Sequence, residues 1–579
     1  MSYLITIMNE VLEVKYCKRE TPYYSNYNRS ENRINIFSGE LHKVEKYFDS
    51  VDWKLEQKTL NIDESFSVVS IDPEEKTVHF ANSKSGLEQI FYYMRGNTFI
   101  LSDDFWEIIN MIQPNEDDLD REAIAEYVNL PYALFDTTFI KDVKFLMPGS
   151  IGIYSAQTHE LQIEQYFDFK YEPDAELTMD DAVEHMNEII SRLMNDIKEE
   201  CGDVRYAVGL SGGLDSRIIP HYAKQAGLNI SSFIIGAARP HGMFLSQDHF
   251  NARKLAKLFN IHHVELEWKK STLQEKIDLD LKNYPMGTAQ FFKYEFYSDY
   301  DVLLTGGNGL IVGSTIPTDL MQATEKELAS HIWGLARSFY PNTINNRRIE
   351  HVFDFLFKKS IHIEHKESWY GQILSEGLER KVEDKLLDYI EKKKAEGKTN
   401  LDIYEDYFNN IVGARNRFGG FESGCGTKRS FSIYVPRMLD ETLRWPLTYL
   451  KNRPILKNLI EKYISETALV AEQNYEGKIN GKNSIFSKTF NILMFLIRGN
   501  GTAMEQKYFK KCRKEFLCTM LNENKWFYHI FDIKGDMKKI SKFDDIRFVL
   551  TIWKTKMIID LLENKGYSAF VEKNFETIL

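Results

Sequence analysis

The sequence predicts a two-domain chain of mixed class: an α+β half built on layered β-structure, then an α/β half built on a doubly wound parallel sheet with a helical C-terminal extension. Three observations carry this. A chain of 579 residues exceeds what one compact core accommodates, so two or more domains are expected. From Met1 to about Phe169 the pattern is mostly β, with short runs bounded by turn residues. From Tyr206 to Leu266, apolar runs alternate with helical stretches in the order βαβαβ, the pattern of parallel strands joined by crossover helices. The stretch Tyr171 to Met179, with Pro173, reads as the linker and divides the chain into 1–170 and 171–579.

Each element has a local reason. Ser65 to Ile71 alternates, Asp72-Pro73-Glu74-Glu75 supplies a turn, and Thr77 to Ala81 returns, so a hairpin is predicted. Ile90 to Met94, Thr98 to Leu101, and Ile151 to Tyr154 after the turn at Pro148-Gly149 are further strand candidates. Thr178 can cap a helix from Asp180 to about Glu200, whose Val183, Met186, Ile190, Leu193, Met194 and Ile197 recur at helical spacing. Tyr206 to Leu210 reads as a short buried strand, followed by a small-residue loop and a helix from Arg217 to Gln225. Ile230 to Gly236, His262 to Leu266 and Asp301 to Leu304 read as strands, and Asp248 to Phe259 as a helix. His262 and His263 are adjacent on a strand and point to opposite faces, which makes them structural rather than joint metal ligands. The remainder is helix-rich, and Asp544 to Lys565 reads as a closing amphipathic helix ending at Gly566.

Composition excludes several classes. Hydrophobic residues at 43% and charged residues at 27% describe an ordinary globular protein. A formal net charge of -12 disfavours a broad phosphate-backbone footprint, so no nucleic-acid partner is expected. The five cysteines, Cys17, Cys201, Cys425, Cys512 and Cys518, form no C-x-x-C pair, which indicates neither zinc nor a disulfide framework and suits a reducing cytoplasm. The apolar run Tyr3 to Met8 is broken too early for a signal peptide, and Ile492 to Ile497 is too short to span a bilayer. A cytoplasmic location without a membrane partner is therefore expected. The basic cluster Lys507 to Lys514 reads as a charged helix face, with a dock for an acidic partner as the alternative.

The chemistry is concentrated in Ser211-Gly212-Gly213-Leu214-Asp215-Ser216, between a strand and a helix. Adjacent glycines let backbone N–H groups approach an anion, and the helix N-terminus adds positive potential. Ser211 and Ser216 offer hydroxyls to phosphate oxygens, and Asp215 can hold a Mg²⁺ that bridges them. No lysine follows the glycines, so this is not the phosphate loop of kinases and GTPases.

This loop resembles the SGGLDS pyrophosphate loop of the ATP pyrophosphatases, which split ATP between its α and β phosphates. The surrounding landmarks resemble the asparagine synthetase family. They are the hairpin, Ala81-Asn82-Ser83-Lys84-Ser85-Gly86, Phe91-Tyr92-Tyr93, Leu101-Ser102-Asp103, Leu146-Met147-Pro148-Gly149, the His262-His263 pair and Tyr434-Val435-Pro436-Arg437-Met438-Leu439-Asp440.

The resemblance implies an Ntn-hydrolase-like, glutaminase-like domain at 1–170 and an adenine nucleotide α-hydrolase-like ATP pyrophosphatase domain at 171–579. It implies ATP at Leu210, Ser211, Gly212, Gly213, Asp215, Ser216, Ile235, Thr305 and Gly306, with Mg²⁺ on Asp215. Lys478 or Lys482 stands in the region where the family places a catalytic lysine, a solvated surface lysine being the alternative. The implied substrate is a small-molecule or peptide carboxylate, adenylated for attack by an amine.

The departures are specific. The family's glutaminase needs a cysteine at position 2, where this chain has Ser2, and its arginine–aspartate pair is replaced by Asn82-Ser83. Both point to lost glutaminase activity; Cys17 is internal and lacks the α-amine that would serve as base. The second nucleotide loop has Gly307, Leu310 and Ile311 where the family carries acids. Three readings follow: a specialised amide ligase or cyclase whose substrate brings its own amine, an ammonia-dependent asparagine synthetase, and a nucleotide-binding relative without catalysis. Loss of the glutaminase residues favours the first.

Overall fold

The structure, a computed structural model, describes residues 2–17, 24–30, 33–39, 65–86, 88–130, 132–235, 245–266, 281, 300–306, 320–338, 378–413, 429–433, 437–451, 453–470, 525–530, 546–571 and 576–579. It is a mixed α/β architecture with two antiparallel sheets and one parallel sheet.

The N-terminal half supplies β1 (Ser2–Met8), β2 (Val11–Cys17), β3 (Tyr24–Ser30), β4 (Arg33–Gly39), β5 (Phe66–Asp72), β6 (Thr77–Asn82), β7 (Phe91–Arg95), β8 (Thr98–Ser102), β9 (Val143–Phe145), β10 (Ser150–Ser155) and β11 (Glu160–Gln165). One sheet runs β2-β1-β8-β7-β9 and the other β11-β10-β6-β5-β4-β3, all antiparallel. The predicted hairpin is β5–β6, with Asp72 paired to Thr77 and the Asp72 carboxylate accepting from the N–H groups of Glu74 and Glu75 in the turn.

Side-chain alternation sets the layers. Tyr3, Ile5 and Ile7 of β1 join Phe99 and Leu101 of β8 and Tyr92 of β7 in a core shared with Val69, Ile71 and Phe80 of the facing sheet. Leu4, Ile100, Phe91 and Tyr93 point the other way, into a second core. That second core takes in α1 (Phe105–Ile112) and α2 (Arg121–Asn129), two helices absent from the strand-dominated sequence reading. Their N-caps are Asp104, accepting from the Trp106 N–H, and Asp120, accepting from the Ala123 N–H.

Gly152 in β10 lies opposite Phe80 in β6, and a Cβ there would sit 2.2 Å from the Phe80 ring. Phe80 is fully buried, so the ring has nowhere cheap to go. Gly152→Ala is expected to cost about 1–3 kcal/mol by overpacking. Urea unfolding checks this; an unchanged midpoint would show that the ring adapts.

The second half opens with α3 (Met179–Cys201), whose capping box pairs Thr178 with Asp181 and whose buried stripe matches the predicted one. Parallel strands β12 (Tyr206–Gly209), β13 (Ile230–Ile235), β14 (His262–Leu266), β15 (Val302–Thr305) and β16 (Arg429–Ser432) form a sheet in the order β14-β13-β12-β15-β16. Crossover helices α4 (Asp215–Gln225) and α5 (Gln247–Phe259) link the first three strands. Around them stand α6 (Glu325–Ser338), α7 (Leu378–Ala395), α8 (Asn400–Asp406) with a π-helical continuation Tyr407–Gly413, α9 (Arg437–Arg444), α10 (Pro454–Tyr463) and α11 (Ile546–Glu563).

Helix α11 corrects an expectation. It is not amphipathic at its centre, because residues 551–556 are all buried. Its Lys556 is tolerated there through an ion pair with Asp560, 2.7 Å away. The C-terminal β17 (Glu576–Thr577) then returns to the edge of the first sheet and pairs with β2. Among the described residues no helix is long and apolar enough to cross a membrane.

Candidate functional site

The parallel sheet is wound outward from β12, first through β13 to β14 and then on the other side through β15 to β16. The winding direction reverses between β12 and β15, and the crevice beyond the carboxyl ends of two such strands is where open α/β sheets bind ligands. Two sequence segments meet there: Leu210 to Ser216 leaving β12, and Thr305-Gly306 at the end of β15.

The loop after β12 is shaped by its own carbonyls turning inward. Leu210 is buried and its N–H donates to the Phe233 carbonyl, carrying the parallel pairing one residue past β12. Arg217, fully buried, donates from its guanidinium to the carbonyls of Gly212 (3.0 Å), Thr467 (2.7 Å) and Val470 (2.9 Å). The Ser216 hydroxyl reaches the carbonyls of Ser211 (3.1 Å) and Gly213 (2.9 Å), and the Gly213 N–H donates to Ser211 Oγ. Both serines therefore help to hold the loop's shape, in addition to the phosphate contacts expected of them.

Helix α4 starts at Asp215, two residues earlier than predicted, and has no side-chain cap: its N-cap position is Leu214. Its dipole thus faces the crevice without a carboxylate or hydroxyl folded over it as a cap, which suits an anion there.

Asp215, half-buried, stands across the crevice against Gly306. A Cβ at Gly306 would come within 2.6 Å of Asp215 Cβ and 3.2 Å of its Cγ, so the glycine is what leaves room for the carboxylate. On the other side Arg453 Nη1 lies 3.8 Å from Asp215 Oδ2. Arg453 arrives through a left-handed backbone at φ 55° just before Pro454, the first residue of α10. Its Nε is buried and has no hydrogen-bond partner among the described residues. A cation with an unused N–H beside an uncapped helix N-terminus adds to the anion-binding character of the crevice.

The fit to Mg²⁺ is that of one hard carboxylate oxygen plus whatever oxygens a polyphosphate brings. Among the described residues no group of three or more His, Cys, Asp or Glu side chains is placed to hold a metal alone.

Other predicted positions are placed as follows. Ile235 ends β13 opposite Leu266, and its side chain lies outside the described residues. The Thr305 carbonyl accepts from the Ile433 N–H. Gly307, Leu310, Ile311, Lys478, Lys482, Tyr434 to Pro436 and the cluster 507–514 all lie outside the described residues. His262 is exposed, whereas His263 Nδ1 bonds Ser232 Oγ at 2.9 Å, and burial pushes its imidazole below the usual range; the pair does not share a face.

In the N-terminal half, the Asn82 side chain bridges the Leu146 carbonyl and the Ser150 N–H, and Ser83, Ser85 and Ser65 form a hydroxyl chain. Asp103 holds the start of β1 by accepting from the Tyr3 N–H; the Ser2 side chain lies outside the described residues. Lys84, largely buried, donates to both oxygens of Asp440 in α9 and lies over the Phe167 ring. Two landmarks 356 residues apart are thereby joined.

Sequence reasoning missed Arg217 and Arg453. Arg217 sits directly after the loop, but two of its carbonyl partners, Thr467 and Val470, lie some 250 residues away. Pro454 was the only local trace of Arg453, through its preference for a helix's first turn.

An asparagine synthase family model matches residues 194–302, which include the Leu210 to Ser216 loop and β12, β13 and β14. No curated protein matches. Among solved structures, glutamine phosphoribosylpyrophosphate (PRPP) amidotransferase from B. subtilis, complexed with ADP and GMP, matches with 9% identity over 44% of this chain and 64% of that one, at a TM-score of 0.16. A second, the allosteric regulatory enzyme of purine biosynthesis, matches with 9% identity over 48% of this chain and 70% of that one, at a TM-score of 0.18. The chain spans just under two thirds of the first of these.

Proposed function

We propose, from the asparagine synthase family match at residues 194–302, that this chain is an ATP-dependent carbon–nitrogen ligase whose switch-point crevice adenylates a substrate carboxylate for attack by an amine the substrate itself supplies. The observation that carries this is the meeting of the uncapped α4 N-terminus, Asp215 and Gly306 at the carboxyl ends of β12 and β15.

A carboxylate oxygen attacks the α-phosphorus of ATP, the bond to the β-phosphate oxygen breaks, and pyrophosphate leaves with the electron pair. The amine nitrogen then attacks the activated carbonyl, AMP leaves, and the nitrogen gives up a proton to solvent. The α4 N-terminus and Arg453 receive the charge that develops on the departing pyrophosphate. Asp215 would hold Mg²⁺, which would supply charge neutralisation at the polyphosphate. By the family pattern Thr305 and Gly306 would meet the nucleotide, Ile235 would contact the base, and Lys478 or Lys482 would stabilise the adenylation transition state.

In this reading residues 1–170 are an Ntn-hydrolase-like domain without glutaminase chemistry, and residues 171–579 an adenine nucleotide α-hydrolase-like domain with its helical extension. Support comes from Asn82 and Ser83, whose side chains are engaged in tying the loop to the chain around it, and from Ser2 in place of a thiol. Exchange of labelled pyrophosphate into ATP, dependent on an added carboxylate, tests the ligase reading. Absence of exchange across a broad panel of carboxylates would move the protein to a nucleotide-binding role without catalysis.

Purified protein incubated with glutamine is expected to release no glutamate above the uncatalysed background. Steady turnover abolished by Ser2→Ala would instead establish an N-terminal serine nucleophile.

A further inference from the structure

A cavity of about 580 Å³ opens between the edge strands β9 and β11 and the helical wall of α7 and the π-helical segment. Its volume is that of a small-molecule pocket. Among the described residues that line it, none comes from the Leu210 to Ser216 loop or from Thr305-Gly306.

Its polar wall is built. Asp406, almost fully buried, accepts from Tyr389 Oη (2.6 Å), Asn410 Nδ2 (2.5 Å) and Lys393 Nζ (3.1 Å). Three donors on one carboxylate fix the rotamers around it. Asn410 is 2% exposed, and with its amide nitrogen committed to Asp406 its Oδ1 has no donor among the described residues. A buried amide oxygen left in this way costs free energy that a ligand N–H would recover. The π-helical turn that carries Asn410 is itself a rare local geometry, found frequently at functional sites.

The charge selects the ligand. Four carboxylates line the cavity, Asp136, Asp168, Glu396 and Asp406, together with the ammonium groups of Lys392 and Lys393; Asp168 is paired with Lys398 and Asp406 with Lys393, so one carboxylate is left in excess. Asp136 is half-buried in that lining with no ion pair among the described residues. The opposite character comes from the Phe135 and Tyr389 rings, whose centroids lie 5.1 Å apart.

We propose that this cavity binds a small organic amine with an apolar body, its ammonium donating to Asn410 Oδ1 and balanced by Asp136, its body against Phe135 and Tyr389. The site takes a cation because, among the described residues that line it, the one unfilled buried group is an acceptor, and its excess charge is negative. It does not depend on the adenylation reading.

Phenethylamine, titrated calorimetrically into the full-length protein beside 3-phenylpropionate, tests it. The amine is expected to bind one saturable site at least about tenfold more tightly than the carboxylate. Asp136→Asn should weaken the amine about tenfold, and Asp215→Ala should leave its binding unchanged. Asn410→Leu should abolish binding in a protein that melts cooperatively; if that variant fails to fold, Asp136→Asn carries the test. Equal affinity for amine and carboxylate, no amine binding up to about 10 mM, or amine binding lost in Asp215→Ala but kept in Asp136→Asn would each overturn the proposal.

Discussion

Arg217→Met is expected to lower the free energy of unfolding by about 3–5 kcal/mol and to abolish nucleotide binding. The guanidinium is fully buried and makes three short bonds to carbonyls, one in the loop after β12 and two in the segment following α10. Each charge-assisted bond of this kind contributes about 1.5–3 kcal/mol, and methionine would leave the acceptors buried without donors. Relief from burying a charge offsets part of that loss, which is why the expected net is smaller than the sum. Arg217→Lys should recover little, since an ammonium cannot reproduce a planar fork that spans carbonyls from two segments. Urea unfolding with an unchanged slope measures the effect. A loss below about 1 kcal/mol would show that the loop keeps its shape without this anchor.

What was legible in the sequence follows the periodicities. The β5–β6 hairpin could be read because its strands alternate and its turn carries Asp72-Pro73. Strands β1 and β2 went unread, since β1 is buried on both faces, Tyr3, Ile5 and Ile7 on one and Leu4 on the other, and gives no alternation of apolar with polar. Helices α1 and α2 are only eight and nine residues long, short enough for a β-rich neighbourhood to hide their period. For α11 the expected amphipathic stripe failed because the helix is enclosed and Asp560 neutralises Lys556. At the site, the loop itself was legible from residue type, whereas Arg453 was not: its place beside Asp215 depends on a left-handed backbone that an arginine does not announce.

Asp215→Ala is expected to reduce pyrophosphate exchange by about 10²–10³-fold, the scale of losing one preorganised charge-stabilising group. It should weaken Mg·ATP binding more than AMP binding, because AMP lacks the β and γ phosphates that would share the metal. The same carboxylate can be disturbed without touching its chemistry. At Gly306 a methyl group would stand 2.6 Å from Asp215 Cβ, closer than two carbons tolerate, so Gly306→Ala must push the Asp215 side chain or the end of β15 aside. It should therefore reproduce the Asp215→Ala pattern, a loss on Mg·ATP larger than on AMP. Arg453→Met separates the remaining possibility. If the 3.8 Å contact between Arg453 and Asp215 serves only to neutralise the carboxylate, removing the arginine leaves Mg·ATP binding intact or improved. If the guanidinium receives the leaving pyrophosphate, product pyrophosphate binds more weakly in the variant while AMP is unaffected. Equal losses of ATP and AMP in both Asp215→Ala and Gly306→Ala would remove the crevice between β12 and β15 as the polyphosphate site.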